Sequence, residues 1–184
     1  MMNIGKSSPP QTGREDVKTR FLAAYDAQVK SIYRYIYYRT GQEKDEAQEL
    51  TQEVFTRTWA YLQKDLRPID DIRAFLFQVS RHVIADRWRK YKPHLNIDQL
   101  EPHEEPRTAH NHEASVDMVL LEQYLLKLPE KYREILTLRF INDLSTEETG
   151  KIMGVTANNA AVMTKRALEK LKSLLPLQYA LSEI

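Results

Sequence analysis

The chain has 184 residues, 27 Lys+Arg against 26 Asp+Glu, and no cysteine, which leaves room for one ordinary domain or two small ones. Balanced charge excludes a bulk polycation that coats nucleic acid by charge alone, and the lack of cysteine excludes disulfides, thiolate zinc sites and cysteine nucleophiles. No signal-peptide core, no run of roughly 18 apolar residues and no glycine-rich phosphate loop occurs; these features fit a cytoplasmic protein that is not a nucleotide-binding enzyme.

Residues 1–16, with a Ser-Ser-Pro-Pro run, read as a disordered polar tail. Phe21, Leu22, Tyr25, Val29, Ile32 and Ile36 then recur at helical spacing until Thr40-Gly41. Ala47, Leu50, Val54, Phe55, Trp59 and Leu62 form a second stripe, and Ile72, Phe75, Leu76, Val79, Val83 and Ile84 a third, with Pro68 breaking the chain between them. Three such stripes bury one another as a helical domain over 17–92. Residues 93–116 hold three prolines, five acids and four of the five histidines (His94, His103, His110, His112), and read as an acidic, flexible linker. Helical patterning resumes at Val116 with Met118, Val119, Leu121, Leu125 and Leu126, and defines a second domain over 117–176, with a C-terminal tail at 177–184. Pro129 suits the first turn of a helix whose apolar face is Ile135, Leu136 and Phe140. Ser145-x-x-Glu148 is a capping box, Gly154 a helix stop and Thr156 the cap of a final helix with apolar positions Ala160, Ala167, Leu168, Leu171, Leu174 and Leu175. Two helices joined by a tight glycine turn make a helix-turn-helix, and with no strand pattern anywhere the predicted class is all-α.

Three stretches bear on function. On 45–53 the apolar positions face inward and leave Asp45, Glu46, Glu49, Gln52 and Glu53 outside, as a solvated face or as a docking strip for basic residues of a partner. In 81–92, Arg81, Arg87, Arg89, Lys90 and Lys92 stand against one acid, Asp86, with Trp88 and Tyr91 among them. Cations interleaved with aromatics suit melted or single-stranded DNA; the alternative is a basic helix end favoured by the helix dipole, with Trp88 in the core. On the last helix, Ala157, Asn158, Ala161, Val162, Lys165 and Arg166 face away from the apolar stripe, with Asn159 at its edge. Asparagine bonds adenine bidentately, Ala and Val meet thymine methyls, and Thr156 with the free N–H groups behind it suits a phosphate. Ala157 to Thr164 nevertheless carries no positive charge. The linker histidines could serve a metal, but no cysteine or scaffold fixes a geometry, and a spacer is the preferred reading.

The segments "DEAQELTQEVFTRTW", "DDIRAFLFQVSRHVIADRWRKY" and "LPEKYREILTLRF…LSTEETGKIMGVT" together resemble the extracytoplasmic-function (group 4) sigma factors of bacterial RNA polymerase, over about 17–92 and 117–175. The resemblance implies a non-enzymatic subunit with no cofactor or small-molecule substrate. Its partners would be core RNA polymerase (the largest subunit's clamp helices and the flap region), promoter DNA and an anti-sigma factor. Asp45, Glu49, Leu50, Gln52, Glu53 and Phe55 would form the polymerase-docking helix. The loop at about 63–71, with Leu66, Arg67 and Ile69, would receive a base flipped out of the −10 element. Arg81, His82, Asp86, Arg87, Arg89 and Lys90 would act on −10 DNA, His82 standing where the family often has Asn. Thr156, Ala157, Asn158, Asn159, Ala161, Val162, Lys165 and Arg166 would read the −35 element, although the family commonly has basic residues at Ala161 and Met163 and often Leu at Thr164. The rival readings are a dimeric helix-turn-helix regulator with 17–92 as its sensor or dimerisation domain and, more weakly, a metal enzyme using the histidines.

Overall fold

A computed structural model describes residues 11–41, 43–64, 69–91 and 116–176, with side chains at 16–41, 43–64, 69–90 and 121–176. Seven α-helices occur among them: α1 (Gln11–Arg39), α2 (Lys44–Gln63), α3 (Ile72–Tyr91), α4 (Val116–Leu126), α5 (Glu130–Leu136), α6 (Thr146–Met153) and α7 (Ala157–Leu174), with a π-helical turn at Thr137–Ile141 directly after α5. The described residues contain no strand, so the class is all-α as expected.

In the first half, α1 begins at Gln11, inside the stretch predicted as a tail, and stops where Gly41 adopts a φ of 83°. The α2 N-terminus gains from Asp45 and Glu46 in its first turn, where carboxylates meet the positive end of the helix dipole. The α3 N-terminus is capped by Asp71, whose Oδ1 accepts the Ala74 N–H at 2.9 Å. The three helices bury Ile32, Tyr35 and Ile36 of α1, Ala47, Leu50, Val54 and Phe55 of α2, and Leu76, Phe77, Val83 and Ile84 of α3 in one core. Buried hydroxyls are satisfied locally: Thr51, Thr58 and Ser80 each donate to the carbonyl four residues back. Leu22 and Tyr25, predicted inside, are 49% and 41% exposed. They line an open groove between α1 and α2, where only two helices meet and each buries a narrow stripe.

The second half contains the predicted helix-turn-helix. Ser145 Oγ accepts the Glu148 N–H while Glu148 accepts the Ser145 N–H, closing the capping box at both ends. Gly154 takes the left-handed conformation at φ 71°, and Thr156 Oγ1 accepts the Asn159 N–H at 3.2 Å to start α7. Pro129 stands at the cap of α5, just before the first helical residue. Two apolar assignments are corrected. Phe140 is 56% exposed while Leu138 is buried, because the π-turn adds a residue to the last turn and rotates the positions beyond it. Leu168 is 38% exposed, since α7 buries the narrower stripe of Ala160 and Ala167.

The second half has its own cluster of Leu125, Leu128, Ile135, Leu136, Ala160 and Ala167, and it also joins the first core. Leu138, Leu144 and Ile152 from the second half pack into the cluster formed by α1, α2 and α3. Beside this apolar contact lies Glu134 of α5, 5% exposed. Its Oε1 accepts the Tyr35 hydroxyl at 2.7 Å, Arg39 Nη1 at 2.7 Å and Arg81 Nε at 2.8 Å. Arg39 also bonds the Tyr35 oxygen at 2.8 Å and pairs with Glu130. Burial alone would raise the Glu134 pKa, yet Arg39 and Arg81, with the Tyr35 hydroxyl, hold it below the usual carboxylate value. Burial next to the same carboxylate pushes Tyr35 well above the ordinary phenol range. Around this centre, Tyr38 donates to Glu122, Arg73 pairs with Glu148 at 3.1 Å and bonds the Asn142 carbonyl, and Gln78 bonds the Lys151 carbonyl.

Gly150 lies where α6 meets the turn: a Cβ there would stand 2.8 Å from the Val155 carbonyl oxygen and 3.3 Å from the Ala157 nitrogen, both backbone atoms. Gly150→Ala is therefore expected to lower the unfolding free energy by about 1–3 kcal/mol, and Gly154→Ala by about 1–2 kcal/mol through its positive φ, both read from urea titrations of the full chain. A Gly150→Ala variant of wild-type stability would contradict the close approach.

Candidate functional site

Three surfaces carry the predicted residues. The first is the outer side of α2. Leu50 and Phe55 are buried and fix the helix against α1, while Asp45 and Gln52 are exposed. The acids beside them are already engaged within the chain. Arg87 of α3 bonds Glu46 at 2.9 Å and reaches Glu49 at 3.5 Å, and Arg57 pairs with Glu53 and, at 2.7 Å, with Asp86. Glu49 keeps 63% of its side chain in solvent and Glu53 39%. The strip is thus acidic but organised by two arginines, of which the sequence reading missed Arg57. Gln52 also borders the α1–α2 groove, about 1140 Å³ in volume, whose apolar wall includes Phe21, Leu22, Tyr25, Val29, Phe55 and Trp59.

The second surface is α3 and the approach to it. Leu66 and Arg67 lie outside the described residues, as do Lys92 and the Tyr91 side chain; Ile69 is half-buried. His82 and Lys90 are exposed, and Arg89 keeps 67% of its side chain in solvent although it also pairs with Asp86. The Asp86 carboxyl is held below its ordinary pKa, first by the hydrogen bond from Arg57, which burial opposes, and then by Arg89. Trp88 is half-buried against the core with the Arg39 guanidinium 5.7 Å from its ring, which gives it the core role rather than an exposed aromatic one. Arg87 is committed to α2, and Arg81 to Glu134 and to the Ile152 carbonyl at 2.8 Å. Of the predicted α3 cations, Arg89 and Lys90 therefore face solvent most openly.

The third surface is α7. Thr156, Asn158, Asn159, Ala161, Val162, Lys165 and Arg166 are exposed, and Ala157 is half-exposed at the helix start. The helix presents an uncharged N-terminal tip and turns basic from its third turn. Met163 and Thr164 are half-buried, and Thr164 Oγ1 bonds the Ala160 carbonyl at 2.8 Å, so a hydroxyl at this inward-leaning position is satisfied within the helix. The tip can form hydrogen bonds and apolar contacts with base edges, and Lys165 and Arg166 can follow phosphate.

No group of side chains among the described residues could hold a metal ion, and the linker histidines lie outside them. No described helix is long and apolar enough to cross a membrane. The residues that sequence reasoning passed over are Tyr35, Arg39 and Glu134. Tyr35 and Glu134 are separated by 99 positions, so no local pattern announces their meeting.

Comparison with known proteins assigns these surfaces a common context. The family description "Sigma-70 region 2" matches residues 24–93 and "Sigma-70, region 4" matches 118–171. The ECF RNA polymerase sigma factor SigM of Bacillus subtilis is 31% identical over 153 residues, 82% of this chain and 91% of SigM. BldN of Streptomyces coelicolor is 31% identical over 170 residues, 90% of this chain but 63% of BldN. SigW of Bacillus subtilis is 29% identical over 168 residues, 84% of this chain and 88% of SigW. The fold is shared with the sigma factor RpoE, solved with the anti-sigma factor NepR from Bartonella quintana, at a TM-score of 0.68 and 20% identity over 89% of this chain and 98% of that one. It is also shared with CnrH, solved with the cytosolic domain of CnrY, at 0.64 and 18% over 88% and 93%. The chain belongs to the extracytoplasmic-function sigma factors of the sigma-70 family, the subunits through which RNA polymerase initiates transcription at promoters.

Proposed function

We propose that the three surfaces divide the work of a sigma factor. The outer side of α2, with Asp45, Glu49, Gln52 and Glu53, docks on basic residues of the polymerase clamp helices. The loop before α3, with Leu66, Arg67 and Ile69, and α3 itself, with His82, Arg89 and Lys90, engage the −10 element. Arg81, Asp86 and Arg87 supply and orient charge on the same helix, and α7 reads the −35 element. Polymerisation belongs to the core enzyme, and the protein acts in the cytoplasm, where that enzyme works. The α1–α2 groove, apolar and beside the docking strip, is the surface an anti-sigma factor covers to withhold the protein from polymerase; that such a partner exists is supported by RpoE, solved with the anti-sigma factor NepR, and CnrH, solved with the cytosolic domain of CnrY.

The observation that carries the reading is the α7 face. A free-standing regulator takes most of its affinity from Lys and Arg on phosphate, whereas this tip is Ala157, Asn158, Asn159, Ala161 and Val162. A reading head held on a polymerase that already grips DNA works at high effective concentration and uses its side chains for discrimination. Asn158 and Asn159 supply amide pairs for adenine, and Ala161 and Val162 supply methyl-sized contacts for thymine.

The test is transcription in vitro of fragmented genomic DNA by core polymerase from the same bacterium, with and without the chain, mapping RNA 5′ ends. Expected are new starts that share one pair of upstream elements; tight palindromic DNA binding without core binding would favour the regulator instead. Glu49→Lys, at the most exposed of the paired acids, should weaken core binding about tenfold, a loss of roughly 1.4 kcal/mol, with the helical content unchanged; equal affinity would refute the docking strip. Asn158→Ala should change the preferred upstream element more than total output, and a uniform fall over all promoters would mark Asn158 as a backbone contact.

A further inference from the structure

Resting on the reading of the α1–α2 groove as an inhibitor's site, we infer that its occupant is an amphipathic helix flanked by acids. Lys18, Lys30 and Arg34 are the residues that select it over the basic surface of the polymerase. The first observation is the shape of the groove. α3 shares a core with α1 and α2, yet no residue of α3 lines the groove, which opens on the other side of the pair. Its volume is about 1140 Å³, and Phe21, Tyr25, Phe55 and Trp59 stand in its wall. These rings brace one another: Phe21 lies 5.0 Å from Trp59 and Tyr25 lies 4.8 Å from Phe55, centroid to centroid. Leu22 and Tyr25 are left exposed. A helix laid between α1 and α2 would cover them and complete a four-helix arrangement with α3.

The second observation is the sign of its rim. The charged residues that line the groove are Lys18, Lys30 and Arg34, all exposed and all on α1, and no acid is among the lining residues. The α2 rim is neutral, with Gln48, Gln52 and Thr56, and the α2 acids Asp45, Glu49 and Glu53 do not line the groove. Among the described residues none of the three cations has an ion pair, whereas Arg39, Arg57, Arg73, Arg81, Arg87 and Arg89 are all paired. Three unpaired cations around one apolar groove favour an occupant that brings acids to them.

The third observation separates the candidate occupants. A second copy of the chain would oppose like charges across a symmetric contact. The polymerase clamp helices, which bring basic residues to the α2 acids, meet the same repulsion at the α1 rim. An inhibitor's helix with an apolar stripe and acidic flanks fits both the wall and the rim. The rim also fixes its pattern. At 1.5 Å per residue, Lys30 and Arg34 are about 6 Å apart along α1, and Lys18 lies about 18 Å before Lys30. The matching helix therefore carries two acids one turn apart and a third about three turns away. Gln52 belongs both to the groove and to the docking strip, so inhibitor and polymerase exclude each other while answering to opposite charges.

The test uses two synthetic helical peptides of about 18 residues, long enough to span the rim. Both have the same leucine stripe; one carries Glu at the three flanking positions and the other Lys. Fluorescence anisotropy follows each peptide as the full chain is added. The Glu peptide is expected to bind about tenfold more tightly than the Lys peptide, with a preference that shrinks as salt rises. In excess it should also block the binding of core polymerase. Charge reversal by Lys30→Glu with Arg34→Glu, both at exposed positions, should invert the order of the two peptides, with far-UV circular dichroism showing the parent's helix content. Equal affinities, tighter binding of the Lys peptide, no binding of either, or an unchanged order in the reversed variant would overturn the inference. So would a bound Glu peptide that leaves core binding untouched. A dimer of the free chain in sedimentation, dissolved by Leu22→Glu, would give the groove to a second copy and overturn it as well. Peptides that behave as expected on a chain that never binds core would overturn the sigma reading, and with it the regulatory half of the inference, but not the groove's choice of acids.

Discussion

The way the two described halves meet depends on one carboxylate that is almost wholly shielded from water. An ionised Glu134 in the interior is tolerable only with strong donors on it, and these come from two helices of the other half: Tyr35 and Arg39 on α1, Arg81 on α3. That requirement sets the position of α5 relative to α1 and α3. It also brings the π-turn and α6 to the place where Leu138, Leu144 and Ile152 join the first core. What would otherwise be two small bundles, each marginal for its size, is joined where the second half adds to the first core, beside a second cluster of Leu125, Leu128, Ile135, Leu136, Ala160 and Ala167.

The same economy of charge runs over the surface. Nearly equal numbers of acids and bases would make a poor DNA binder if spread evenly, but here they are sorted. Arg57 and Arg87 brace the acidic side of α2 from behind, and Asp86 is held between Arg57 and Arg89. Exposed cations stand at the end of α3 and along the later turns of α7, as they do on α1 with Arg20, Lys30 and Arg34, and the tip of α7 is left neutral. Such a distribution suits a subunit that borrows its grip on DNA from a larger enzyme and contributes selectivity.

How much of the molecule is legible in its sequence depends on the range of the forces involved. The helix caps at Ser145, Gly154 and Thr156 are local, each a matter of three or four residues, and all three are found where the sequence places them. The exposed face of α7 comes from its cap and period. Phe140 departs from its expected side because a π-turn breaks the period on which the inference rests, and Leu22 because amphipathic spacing marks a face without saying how much of it a neighbour covers. Arg81 and Arg87 read as free cations in a basic run; their acids come from other helices, 53 and 41 positions away. Glu134 sits in LPEKYREILTLRF, one of the stretches that carry the family resemblance, yet its burial depends on a tertiary contact that no local pattern encodes.

The claim that Glu134 couples the two halves is tested most directly by a double-mutant cycle on the intact chain. Tyr35→Phe, Glu134→Gln and the double variant are unfolded in urea beside the parent. The account predicts a single cooperative transition in the parent and a coupling of about 0.5–3 kcal/mol between the two positions, the double variant losing less than the sum of the single ones. Additive losses, or two separate transitions in the parent, would contradict it.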